Sequence, residues 1–185
     1  MELLQAINGR RSVREYTDEP ISDTLLRELI DAAIQAPSAI NQQPWCFVVV
    51  KKPSLLAHIS DQAKIHLLKA SLGAPAHPFR DMLSDPKFHI FYHAPVLVVI
   101  AAAEPSDWAV EDCALAAENL MLAAYGAGLG TCWIGFAQHW LGTADGKAAL
   151  GLPTSCTPIA PIVVGRTRRQ PAPAPRKAPN ILWLD

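Results

Sequence analysis

Two guanidinium groups and a hydroxyl recur at alternate positions in Arg10-Arg11-Ser12-Val13-Arg14. In an extended segment successive side chains alternate faces, so Arg10, Ser12 and Arg14 would point the same way. Such a face suits a phosphate, which takes charge-assisted and often bidentate hydrogen bonds from guanidinium groups. A solvated basic loop has the same composition. A second polar cluster, Pro37-Ser38-Ala39-Ile40-Asn41-Gln42-Gln43-Pro44-Trp45, is bounded by two prolines. Held rigid, Ser38, Asn41 and Gln43 would present fixed donors and acceptors to a flat heteroaromatic ligand. The alternative is a helix-to-strand turn whose polar groups satisfy their own backbone.

Gly126-Ala127-Gly128-Leu129-Gly130-Thr131 has the glycine density of a nucleotide-binding loop in the wrong order. Dinucleotide and phosphate-loop glycines follow a strand and open a helix; these close a helix and open a strand. They let the backbone approach something closely, or end the helix. His89 and His93 have a zinc-like i, i+4 spacing, but no neighbouring carboxylate or cysteine completes a set, so no metal site is expected. Cys132, beside Trp133 in an apolar run, reads as an inert buried thiol rather than a nucleophile. No G-x-S-x-G, H-E-x-x-H or paired-carboxylate cluster occurs. An enzyme built from these residues would take its hard chemistry from a cofactor.

Positioning such residues requires ordered elements. A short helix over residues 2–8 is expected to stop at Gly9 as its C′ residue. Ser22 caps a second helix with Leu25, Leu26, Leu29, Ile30 and Ala33 on its apolar side, ending before Pro37. Residues 45–50 read as a buried strand, 55–72 as a helix, and 73–78 as a turn-rich break. Strands are expected over 95–102, 131–136 and 158–164, and the longest helix over 107–125. The basic, proline-rich segment 168–179 should run extended over a surface. Helices and strands mix without strict βαβ alternation, which suggests an α+β sandwich.

The 185 residues carry 16 Lys and Arg against 17 Asp and Glu, a net charge of −1, and half are hydrophobic. One substantial domain spanning residues 1–185 follows. General nucleic-acid binding, which needs excess cations, does not. Any anion site must be local. The uncharged run 120–137 is broken by four glycines and reads as core, not as a membrane span. Glu2, Gln5 and Asn8 interrupt any apolar h-region, so no secretory signal is expected. Cys46, Cys113, Cys132 and Cys156 are widely spaced and read as reduced thiols of a cytoplasmic protein.

Taken together, Arg10–Arg14, Ala36–Trp45, Gly128-Leu129-Gly130-Thr131-Cys132-Trp133-Ile134-Gly135 and Pro175-Arg176-Lys177-Ala178-Pro179 resemble the nitroreductase family of FMN-dependent oxidoreductases, in order and spacing over nearly the whole chain. The resemblance implies a three-layer α+β sandwich with a mixed, mostly antiparallel central sheet and an extended tail, 168–185, packing on a partner subunit. It implies a homodimer with FMN sites at the interface. Arg10, Arg11, Ser12 and Arg14 would hold the ribityl phosphate and pyrimidine edge, and Arg176, with Lys177, would approach the phosphate. Pro37, Ser38 and Asn41 would reach the flavin from the partner subunit. Ile134 and Gly135 would lie beside the isoalloxazine with a backbone N–H near N5. No protein group is expected to be catalytic in itself.

The implied activity is ping-pong transfer of hydride from NADH or NADPH through FMN N5 to an electron-poor acceptor such as a nitroaromatic or quinone. Within the same fold, oxidase, dehalogenase or flavin-fragmenting chemistry is the alternative, as is a redox-silent flavin protein. Ser38-Ala39 stands where the family commonly has two serines, which removes one polar contact. The segment 55–91 has no matching motif.

Overall fold

The computed structural model of the protein describes residues 2–70, 79–104 and 106–184. Its elements are α1 (Leu3–Gly9), α2 (Asp23–Ala33), a 3-10 turn (Ala39–Asn41), β1 (Trp45–Val50), α3 (Pro53–Ala70), α4 (Arg80–Ser84), β2 (Val96–Ala102), α5 (Ala109–Gly126), β3 (Gly130–Trp133), α6 (Gly135–Leu141), α7 (Ala144–Ala149) and β4 (Thr157–Gly165). The four strands form one sheet in the order β1-β2-β4-β3, and every ladder is antiparallel. The parallel component expected of a mixed sheet is a single bridge between Ser12 and Thr131, on the outer side of β3. Tyr16 bridges antiparallel to Thr167 just beyond β4.

Side-chain alternation along β2 divides the core. Val96, Val98, Ile100 and Ala102 face α2 and α5, while Leu97 and Val99 join α3, α6 and the Ile90–Phe91 pair on the other face. Both faces are covered, so β2 is buried along its whole length. This is the α+β sandwich that the sequence pattern suggests, with the three layers that the family resemblance implies. Among the described residues no helix is long and apolar enough to cross a membrane.

Local chemistry accounts for the element ends. The Ser22 hydroxyl accepts the Leu25 N–H at 3.2 Å and caps α2. At the end of α5, Leu129 N–H donates to the Ala124 carbonyl at 2.8 Å and Gly128 N–H to that of Tyr125 at 3.0 Å. Gly128, at φ 75°, supplies the left-handed residue this closure requires.

Two expectations are corrected. Gly9 is the last helical residue of α1, and the chain leaves through Arg10 in an extended conformation. A Cβ on Gly9 would meet the Tyr125 ring, so this glycine serves close packing of α1 on α5, not a left-handed turn. The strand expected over 131–136 ends at Trp133. The Ile134 N–H turns aside to the Pro161 carbonyl (2.8 Å), and α6 begins, burying Ala137, Trp140 and Leu141 at helical spacing. The expected break at residues 73–78 lies outside the described residues.

Candidate functional site

The Arg10–Tyr16 segment is held against the ends of β3 and β4 by backbone bonds. Val13 N–H donates to the Thr131 carbonyl (2.9 Å), Thr17 N–H to that of Arg166 (3.0 Å), and Arg168 N–H to that of Glu15 (2.9 Å). Two facing glycines make the seat. Gly130 and Gly165 are register partners; a Cβ on the first would come within 2.9 Å of three Val13 side-chain atoms, and one on the second within 2.8 Å of Tyr16 and Pro95. With Val13 and Tyr16 buried, the residues between them face outward.

Ser12 and Arg14 accordingly line one depression of about 220 Å³, together with Glu15, Arg169, Gln170, Pro171 and Ala172. Arg10 departs from this face: its Nε lies 3.5 Å from the Glu118 carboxylate on α5. Arg11 turns back on α1, its Nη1 donating to the Asn8 (2.7 Å) and Arg10 (2.8 Å) carbonyls. The Nε atoms of Arg10 and Arg11 are buried without a hydrogen-bond partner. The Cys132 thiol donates to the Trp133 carbonyl (3.6 Å), and burial raises its pKa despite the nearby Ser12 hydroxyl and arginines. Cys132 is therefore a neutral packing group rather than a thiolate.

The loop from Pro37 to Trp45 is compact and strained, with Ile40, Asn41 and Gln43 all left-handed (φ 45°, 59° and 50°). Ser38 Oγ accepts the Gln43 N–H (2.9 Å), and Asn41 Oδ1 accepts from Gln43 Nε2 (3.0 Å). The loop thus satisfies part of its own polarity while leaving Asn41 exposed. Its anchor is Asp112 on α5, 3% exposed, whose Oδ1 accepts the Ala39 N–H at 3.0 Å. Asp112 Oδ2 is buried without a partner.

Gly135 opens α6, so its N–H belongs to the first-turn groups with no intrahelical acceptor; that of Ile134 is already bound to Pro161. Arg176 is exposed on the extended tail, and it does not line the depression that holds Ser12 and Arg14. His89 and His93 have ring centroids 4.8 Å apart, yet no metal-ligating group of three forms among the described residues.

The two polar motifs lie at opposite ends of the sheet. Ser12 pairs with Thr131, which faces Val164 of β4; Trp45 pairs with Ala102, which faces Thr157 at the other end of β4. From 157 to 164 is seven residues, or about 23 Å along the strand.

The outline of the fold and its motifs match known proteins. A model of the nitroreductase family matches residues 7–166. The chain belongs to the nitroreductase family. A provisionally named NADH dehydrogenase/NAD(P)H nitroreductase of Methanothermobacter thermautotrophicus is 28% identical over 100% of this chain and 87% of its own length. The FMN reductase [NAD(P)H] of Bacillus subtilis is 28% identical over 95% of this chain and 70% of its own. A Bacteroides fragilis nitroreductase crystallised with bound FMN superposes with a TM-score of 0.86 at 28% identity, each chain covered completely.

The residues of this nitroreductase fit FMN. Its phosphate brings about two negative charges, and Ser12, Arg14 and Arg169 offer a hydroxyl and two cations against the one carboxylate, Glu15, around the same depression. The sequence reading missed Arg169 and Asp112. The run Arg166-Thr167-Arg168-Arg169 after the last strand was visible as basic, but it is the Tyr16–Thr167 bridge and the backbone bonds of Thr17 to Arg166 and Arg168 to Glu15 that place it beside Arg14. Asp112 carried no sequence signal beyond a carboxylate among alanines.

Proposed function

We propose that this nitroreductase is an FMN-dependent NAD(P)H oxidoreductase whose two flavin sites are each built by two copies of the chain. The observation that carries the shared site is the separation of about 23 Å between Ser12 and Trp45 along the sheet. In this arrangement a flavin held by Ser12 and Arg14 of one protomer takes its Asn41 contact from a second copy. In this reading the extended tail, 168–185, packs on the partner subunit and brings Arg176 toward the phosphate, with Lys177. Arg10 exchanges Glu118 for the phosphate or bridges both.

Bound FMN supplies the hydride-transfer chemistry that the side chains lack. The chain's own contributions are binding and electrostatic. Arg14 and Arg169 neutralise anionic charge, and a cation held near the pyrimidine edge favours reduced flavin. The Gly135 N–H offers a donor beside the ring, and Asn41 fixes the ring's orientation. With no protein acid or base assigned, solvent protonates the product. Nitroaromatics and quinones are the acceptor class. Four unpaired cysteines among the described residues support a reducing compartment, the cytoplasm.

Mixing variants tests the arrangement. Arg14→Ala and Asn41→Ala should each bind FMN weakly and reduce acceptor slowly. After subunit exchange, their heterodimer should regain one intact site and up to about half the native activity per heterodimer. Exchange confirmed by mass spectrometry without recovered activity would overturn the shared site.

A further inference from the structure

Tyr92 and His93 are consecutive non-glycine residues in the left-handed region, at φ 52° and 55°. Such backbone is sparsely populated and persists where the surroundings over-determine it, commonly at functional sites. Here the surroundings do so. Buried Lys64 donates from Nζ to the Phe88 carbonyl at 2.8 Å and pairs with Asp61 at 3.5 Å. Buried Ser60 accepts the Ile90 N–H at 3.1 Å, and Ile90 and Phe91 are fully enclosed. Tyr92 N–H donates to the His89 carbonyl (2.8 Å), and Ala94 N–H to that of Phe91 (2.9 Å).

All this anchorage delivers one ring to one place. Phe88 meets Tyr92 edge-on, with centroids 5.9 Å apart and planes at 72°. On its other contact the Tyr92 ring lies 5.9 Å from the guanidinium carbon of Arg14. Arg14 shares its depression with one carboxylate, Glu15, and one further cation, Arg169, and it forms no ion pair among the described residues. The electron-rich face of Tyr92 is the contact that holds its guanidinium.

We infer that Tyr92 is a positioning residue that holds the Arg14 guanidinium in the Ser12–Arg169 depression for the flavin. The inference rests on the reading of Arg14 as a flavin ligand. The strained backbone is the means: a right-handed Tyr92 would aim its ring elsewhere. The part of the ring that matters is its π face, so the hydroxyl is dispensable.

Three Tyr92 variants and Arg14→Ala, each loaded with FMN, separate the roles. The readouts are FMN affinity by fluorescence titration and flavin midpoint potential by dye equilibration. Tyr92→Phe should stay close to the parent in both. Tyr92→Leu should weaken FMN about two- to fivefold, the range of an exposed cation–π contact, and lower the potential. Tyr92→Asn suits the left-handed backbone and removes the ring; it gives up the edge contact with Phe88 but, read on the folded protein, should show the same losses. The double variant Tyr92→Leu with Arg14→Ala should be no weaker than Arg14→Ala alone. Tyr92→Asn with native affinity and potential, while Arg14→Ala loses FMN, would overturn the positioning role and leave the flavin reading intact. Full FMN affinity in Arg14→Ala would instead overturn the reading beneath it.

Discussion

His89 accepts the Phe91 N–H at Nδ1 (3.2 Å), which only a neutral ring nitrogen can do. Burial, and then the nearby His93, bring its pKa down from 6.5 to about 4. Between those values the unfolded chain binds a proton that the native one does not, so stability falls as pH drops from about 6.5 to about 4 and levels off below. Partial exposure limits the loss to about 1 kcal/mol. Urea midpoints at pH 7 and pH 5 should therefore differ more in the parent than in His89→Gln; equal differences would remove His89 as the cause. Cys113 offers a second test. Burial raises its thiol to about 12, with Asp112 adding to the shift. At pH 8 it should resist alkylation for as long as the protein is folded and react on addition of urea, and rapid labelling of the native protein at Cys113 would contradict its burial. At this scale the sequence was legible where type and spacing suffice. Ser12 and Arg14 share a face because a buried Val13 separates them. Arg10 does not join them, because Glu118 is distant in sequence and reaches it only through the packing of α1 on α5.

Strand β3 is only four residues long, yet it carries the Arg10–Tyr16 segment on its outer side. The contact depends on Gly130, where an added Cβ would sit within 2.9 Å of Val13. Gly130→Ala should therefore displace the segment from β3, cost about 1–3 kcal/mol of stability and weaken FMN binding, read by thermal melts and flavin titration. A variant of native stability with native flavin affinity would show that Val13 yields without moving Ser12 and Arg14. Elements defined by one strong periodicity were legible: α5, β1 and β2 lie within two residues of their expected bounds, and α2 starts where Ser22 places it but ends at Ala33, three residues before the expected stop at Ala36. What escaped were the short pieces, α4, α6 and α7, too brief to show a period, although α7 has a local cap in Thr143, whose hydroxyl accepts the Gly146 N–H (3.1 Å). Helix α6 hid inside an apparent strand because the apolar run 131–137 continues smoothly across Ile134, where a backbone bond to Pro161 redirects the chain.

For the molecule as a whole, the sheet sets the reach of each chain. Its two polar motifs stand at opposite ends, so flavin binding and association are one equilibrium in the proposed arrangement. Diluting the protein should release FMN in step with the loss of dimer seen by light scattering; a monomer that keeps its flavin would overturn the coupling. The α+β class was legible from the mixture of elements and its three layers from the family resemblance, whereas the strand order β1-β2-β4-β3 was not, since it is set by pairings between residues as distant as Leu97 and Val163. That order leaves Trp45-Cys46-Phe47-Val48-Val49-Val50 at a border of the sheet, six residues without a charge or a proline. Bare borders of this composition recruit any extended strand they meet. A segment that paired along β1 would thus serve as a shield against clumping.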